Sequence, residues 1–103
     1  MNYMKLLQNS ISKIKTYTGF AFKAGNCVLG VDNLEKISKP LLILYSSDLS
    51  QNSIKKLTDM SNKFGHQLVE IEDFKEISPR EGCKALGIKD KSLEGAITKQ
   101  LNI

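Results

Sequence analysis

The sequence predicts an α/β domain with helices on both faces of one sheet. Three observations predict it. Apolar residues recur at helical spacing in several segments. Short apolar runs lie between those segments, bounded by Gly, Pro, Ser and Asp. The two kinds of segment alternate along 103 residues, the length of one ordinary domain. Such a chain buries roughly 65% of its unfolded surface, so a core needs neither disulfide nor metal. Apolar residues make up 41% and charged residues 25%, the balance of a globular domain and not of a disordered tail. The sequence has no repeat, linker or low-complexity segment.

The first helix is expected from about residue 4 to 24. Leu7, Ile11, Ile14, Thr18, Ala21 and Phe22 form its apolar stripe, with Lys5, Lys13, Lys15 and Lys23 on other faces. Gly25 and Asn26 tolerate the left-handed conformation that ends a helix. Cys27–Leu29 reads as a short strand stopped by Gly30. Residues 31 to 38 read as a short helix with Leu34 and Ile37 inward. Pro40 opens a strand from Leu41 to Tyr45, whose five apolar residues in a row indicate burial on both faces. Ser50 is a good N-cap for a helix over 51 to 64, ended by Gly65. Ile54, Leu57, Met60, Ser61 and Phe64 give that helix its buried stripe. Gln67–Ile71 is a strand, and 73 to 77 is one helical turn. Ser78 to Gly82 forms a loop. Cys83–Lys89 alternates as a strand, and Asp90 caps a last helix that turns Leu93, Ala96, Ile97 and Leu101 inward. The predicted order is α-β-α-β-α-β-α-β-α.

Lys and Arg total 15 against 11 Asp and Glu, a net charge of +4. A small basic domain suggests an anionic partner, most commonly nucleic acid. Every basic residue but Arg80 is lysine, a flexible point charge suited to phosphate more than to forked base readout. No apolar run approaches the ~18 residues of a membrane span, and MNYMKLLQNS lacks the features of a signal peptide. A cytoplasmic protein is expected, with Cys27 and Cys83 as reduced thiols filling apolar space.

Enzyme signatures are missing. There is no G-x-G-x-x-G, no P-loop and no G-x-S-x-G. GFAFKAGN carries two glycines and a lysine but lies inside a helical pattern. His66, the single histidine, is expected as a turn residue before a strand. Glu70, Glu72, Asp73 and Glu76 read as a solvated rim. A non-enzymatic protein without metal or organic cofactor is the expectation.

One place has the physics of a binding site. Gly30 ends a strand and Val31 begins a helix, so free N–H groups and the positive end of a dipole meet there. Lys23 and Lys36 would flank the spot. Asp32 and Asn33 would project from the first turn towards base edges. The plainer reading makes Asp32 a cap and the lysines a solvated face.

At these residues the sequence resembles a family. TYTGFAFKAGNCVLG is similar to a bacterial pattern G-L-A-x-R/K-A-G-K-x-x-x-G, and the stretch from Gly30 to Lys36 to G-x-N/K/E-E/Q-x-x-K. PLLILYSSDLSQNSIKKL resembles a strand–loop–helix K-L-V-L-L-A-x-D-A-S-E-N-T-x-K-K-x. QLVEIED and ALGIKDKSLEGAI match its later strand and final helix. The pattern, in order from about residue 11 to 101, resembles the L-seven-Ae type ribosomal-protein family of kink-turn RNA binders, nearest its YlxQ-like bacterial branch.

The resemblance implies a three-layer α/β/α sandwich around a mixed four-stranded sheet. It implies RNA binding by the second helix, with Gly30 admitting the RNA backbone, Val31 opening the helix, and Asp32 and Asn33 on sheared guanine–adenine pairs. It implies Lys36 on phosphate and the loops of Ser47, Asp48 and Arg80 beside bulged nucleotides. RNA is commonly read at such bulges. The partner would be a structured, bulged or kinked RNA, with ribosomal RNA as one candidate. The alternative is a divergent member that acts as a protein-interaction module without kink-turn binding. Three features depart from the pattern: a shorter helix after Gly30, the loop ISPREG in place of L-G-x-A-I/V-G, and Asp32 where RNA binders often carry Asn or Lys.

Overall fold

The computed structural model describes residues 2–4 and 7–102. The elements run β1 (Asn2–Met4), α1 (Gln8–Lys23), β2 (Cys27–Leu29), α2 (Val31–Leu34), β3 (Leu42–Ser46), α3 (Gln51–Phe64), β4 (Gln67–Ile71), a 3₁₀ turn (Phe74–Glu76), β5 (Ala85–Ile88) and α4 (Lys91–Leu101). The sheet has the order β1-β4-β3-β5-β2. β1, β4 and β3 run parallel. β5 lies antiparallel between β3 and β2. The sheet is therefore mixed, as expected.

Alternation along the strands divides the core into two. Leu42 and Leu44 of β3, Val69 and Ile71 of β4, and Leu86 and Ile88 of β5 pack with Ile11 and Ile14 of α1 and Ile97 and Leu101 of α4. Ile43, Tyr45, Leu68 and Ala85 point the other way, onto Leu34 of α2 and Leu57 and Met60 of α3. Because side chains alternate with period two, one apolar run in β3 supplies both cores. The result is the α/β/α sandwich.

Local signals set most boundaries. The Ser50 hydroxyl accepts from the Ser53 N–H at 3.2 Å, and Gly65, in the left-handed conformation, ends α3. The Asp90 carboxylate accepts from the Ser92 and Leu93 N–H groups at 2.8 and 3.1 Å. Thr18, buried in α1, donates its hydroxyl to the Ile77 carbonyl at 2.7 Å, tying that helix to the loop after the 3₁₀ turn.

Several expectations need correction. The sheet has five strands, not four, because residues 2–4 pair with β4. The free edge of β4 recruits them, and α1 begins only at Gln8. Leu7 is consequently 75% exposed and outside the apolar stripe; Lys5 lies outside the described residues. The second helix stops at Leu34 and not at 38, its chain leaving through turns towards Pro40. β3 starts one residue later than expected, and the last strand shrinks to Ala85–Ile88.

His66 lies in the short connection between α3 and β4, as expected of a turn residue, but it is buried. It is 6% exposed, and its Nδ1 accepts the Leu41 N–H at 3.0 Å. An Nδ1 that accepts leaves the proton of a neutral ring on Nε2. That atom is buried and has no partner. Burial holds the imidazole pKa below its ordinary value.

Candidate functional site

The carboxyl ends of β2 and β3 and the start of β5 meet at one end of the sheet. Leu29 lies opposite Leu86, and Tyr45 opposite Ala85. Open α/β sheets bind ligands in such crevices. Here an open groove of about 380 Å³ runs along Gly30, Asp32, Asn33, Ser53, Gly82 and Lys84. Gly30, Gly82 and Lys84 also line an adjoining depression of about 340 Å³ that reaches Arg80 and Glu81.

Gly30 sets the geometry. Its φ of 88° and ψ of 146° belong to a region that residues with a Cβ rarely enter. Its N–H donates to the Ala85 carbonyl at 2.9 Å, and its carbonyl accepts the Leu34 N–H at 3.0 Å. The glycine thus ties β5 to the first turn of α2. No side chain caps α2, so its first amides remain for solvent or a ligand. With only four residues, the helix has little macrodipole, which reduces the expected dipole attraction to the effect of these amides. A helix this short does not stand alone. Its anchor is the fully buried Leu34, whose burial contributes about 1.5–3 kcal/mol.

The predicted residues separate into two groups. Gly30, Val31, Asp32, Asn33 and Arg80 line the groove and its extension. Asn33 is tied back, its Nδ2 donating to the Leu29 carbonyl at 2.9 Å. Asp32 projects with its side chain 91% exposed, 3.8 Å from the Lys56 ammonium. Arg80 lies over the Phe22 ring, 5.3 Å from its centroid, a cation–π contact that holds its guanidinium at the rim. Ser47 and Asp48 sit in the turn after β3. The Asp48 carboxylate accepts from the Ser46 hydroxyl and pairs with Lys84 at 3.5 Å. These partners, the hydroxyl first, hold its pKa below the ordinary value. Lys23 and Lys36 do not line the groove. Lys36 follows the shortened helix in a turn, so it does not flank the first amides as expected.

Lys84, Lys56 and Ser53 come to the site only through the fold. The Lys84 carbonyl accepts the Ser46 N–H at 2.8 Å, which fixes this lysine beside the end of β3. Only the sheet order brings it there. Lys56 bridges Asp32 and Glu35 at 3.8 and 3.9 Å.

Two ion pairs therefore lie beside the groove, Asp32 with Lys56 and Asp48 with Lys84, and Arg80 and Glu81 add one charge of each sign to its extension. Among the described residues, no group of three His, Cys, Asp or Glu is placed to hold a metal. No helix among them is long and apolar enough to cross a membrane.

The fold recurs in a solved structure described as a protein with unknown function from Bacillus halodurans C. The two share 20% identity and a TM-score of 0.70, over 88% of this chain and 98% of that one. No family model matches the chain, and no curated protein is similar to it.

Proposed function

We propose that the chain is a small, non-enzymatic, cytoplasmic RNA-binding protein of ribosomal type that takes a kinked or bulged RNA at the Gly30 groove. One observation carries this reading. A backbone conformation suited to glycine presents uncapped amides at the mouth of an open groove, with Lys84 and Arg80 on its rim. Without a Cβ at Gly30, a sugar–phosphate backbone meets no side chain there. The ion pairs along the groove do not oppose such binding. They are exposed, at 3.5–3.9 Å, and pairs of this kind contribute only about 0–1 kcal/mol. A phosphate displaces a carboxylate from them at small cost.

The test is titration with a kink-turn RNA and a plain duplex of equal length at two salt concentrations. The proposal expects preference for the kinked RNA at both. A purely electrostatic binder loses both RNAs steeply as salt rises. Lys84→Ala and Arg80→Ala should each weaken the kinked complex, and Lys36→Ala should do so less. If neither RNA binds at low salt, the proposal fails.

A second reading is a protein-interaction module on the same fold. The near balance of acids and bases around the groove favours it, because nucleic-acid sites usually carry an excess of positive charge. RNA that fails to bind a correctly folded chain would select this reading.

A further inference from the structure

The opposite end of the sheet carries a second concave site. The residue before β2, the two before β3, the one after β5 and the first of α4 surround a pocket of about 430 Å³. Lys39, before β3, Lys89, after β5, and Lys91, the first residue of α4, line it together with the apolar residues Ile37, Pro40 and Leu41. Lys91 pairs with Glu94 at 3.4 Å. Lys39 and Lys89 have no acidic partner among the described residues. Asp90, the nearest carboxylate in the chain, accepts from the first amides of α4. Asn26 also lines the pocket, and its side-chain amide carries both a donor and an acceptor.

The backbone around this pocket is held before any ligand arrives. The Asn26 N–H donates to the Ala21 carbonyl at 2.7 Å, and the Asn26 carbonyl accepts the Lys89 N–H at 2.8 Å. The Leu41 N–H donates to His66 Nδ1. A site already in its bound shape loses little ordering entropy on binding. Its size suits a small organic ligand, and its lysines suit compact, strongly charged oxygens such as phosphate.

We propose that this pocket binds a mononucleotide unit, either free or as the phosphorylated end of an RNA strand. The phosphate sits among Lys39, Lys89 and Lys91. The base lies against Ile37 and Pro40, and Asn26 meets a polar edge of the nucleotide. This pocket is separate from the Gly30 groove and does not depend on kink-turn binding.

The test is titration of the isotope-labelled full chain with adenosine monophosphate, adenosine, inorganic phosphate, and a short RNA with or without a 5′-phosphate, read from backbone amide shifts. The monophosphate should move the amides of Asn26, Leu41 and Lys89. Adenosine and inorganic phosphate should each bind about tenfold more weakly, since each lacks one half of the contacts. Lys39→Ala combined with Lys89→Ala should weaken the monophosphate about tenfold, whereas Lys84→Ala should leave it unchanged. Tighter binding of the 5′-phosphorylated RNA than of the free nucleotide identifies a strand end as the source, and the reverse identifies a free nucleotide. Inorganic phosphate binding as well as the nucleotide would overturn the proposal, as would no shift at these amides up to about 10 mM ligand. Shifts confined to Gly30–Asn33 would also overturn it while leaving the RNA reading intact.

Discussion

Replacing Gly87 by alanine would place a methyl carbon 2.6 Å from Leu34 Cδ2 and 3.0 Å from Leu41 Cδ1. Both distances are inside van der Waals contact. Leu34 is fully buried and Leu41 is 5% exposed, so neither side chain swings aside into solvent. Overpacking of this kind costs about 1–3 kcal/mol. Removing a glycine from the unfolded chain returns about 0.4–1 kcal/mol, so the expected net loss is centred on about 1 kcal/mol and reaches at most about 2.6 kcal/mol. For a domain of this length, each kcal/mol lowers Tm by about 4–8 °C. Urea and thermal unfolding followed by circular dichroism measure it.

The same clash predicts a coupling. Leu34→Ala alone should cost about 2–5 kcal/mol, but with alanine at 87 the new methyl fills part of the void. The double variant should therefore be more stable than additivity expects, by about 0.5–3 kcal/mol. Because Leu34 anchors α2, the single Gly87→Ala variant should also disturb the amides of Val31 to Asn33 more than those of α4. A Gly87→Ala protein as stable as the parent, or a strictly additive double variant, refutes this account of how α2 is seated.

Other outcomes follow from the same geometry. The folded pKa of His66 lies below its ordinary 6.5, so the unfolded chain binds more protons as the pH falls below that value. Stability should hold above about pH 6.5 and decline below it; His66→Gln should flatten this part of a plot of urea midpoint against pH. Gly30→Ala should cost about 1–3 kcal/mol from backbone strain, measured by urea unfolding, with no packing clash, since nothing lies within 4 Å of a Cβ there. Asp90→Ala removes the acceptor of two amides and should cost about 1 kcal/mol, read as faster hydrogen exchange in the first turn of α4. Burial, with Cys83 nearby, pushes the Cys27 thiol up to about 12. Iodoacetamide at mild pH should therefore leave Cys27 unmodified in the native protein and label it in urea, as seen by mass spectrometry.

What the sequence made legible was what local chemistry decides. The limits of α3 follow from Ser50 and Gly65, and those of β4 from a run with a turn on each side. β1 was illegible because three residues carry no usable period and pair only with a strand more than sixty positions away. The seat of α2 on β5, where Gly87 leaves room for Leu34, is set by packing; a glycine inside an alternating strand does not announce which helix needs the space. The burial of His66 is not legible because its partner is the Leu41 amide, brought alongside only by folding. At the groove, residues contiguous with Gly30 were identifiable, whereas Lys84 and Lys56 arrive through sheet order and helix placement. Lys36 falls outside the groove because α2 ends at Leu34, before it.

The two outer strands of the sheet, β1 and β2, are three residues each, shorter than the five-residue β3 and β4 between them. Strands this brief offer a neighbouring molecule few unpaired backbone groups to extend. The longer hydrophobic β3 lies between β4 and β5 with no edge of its own, which disfavours fibrous self-association through that strand.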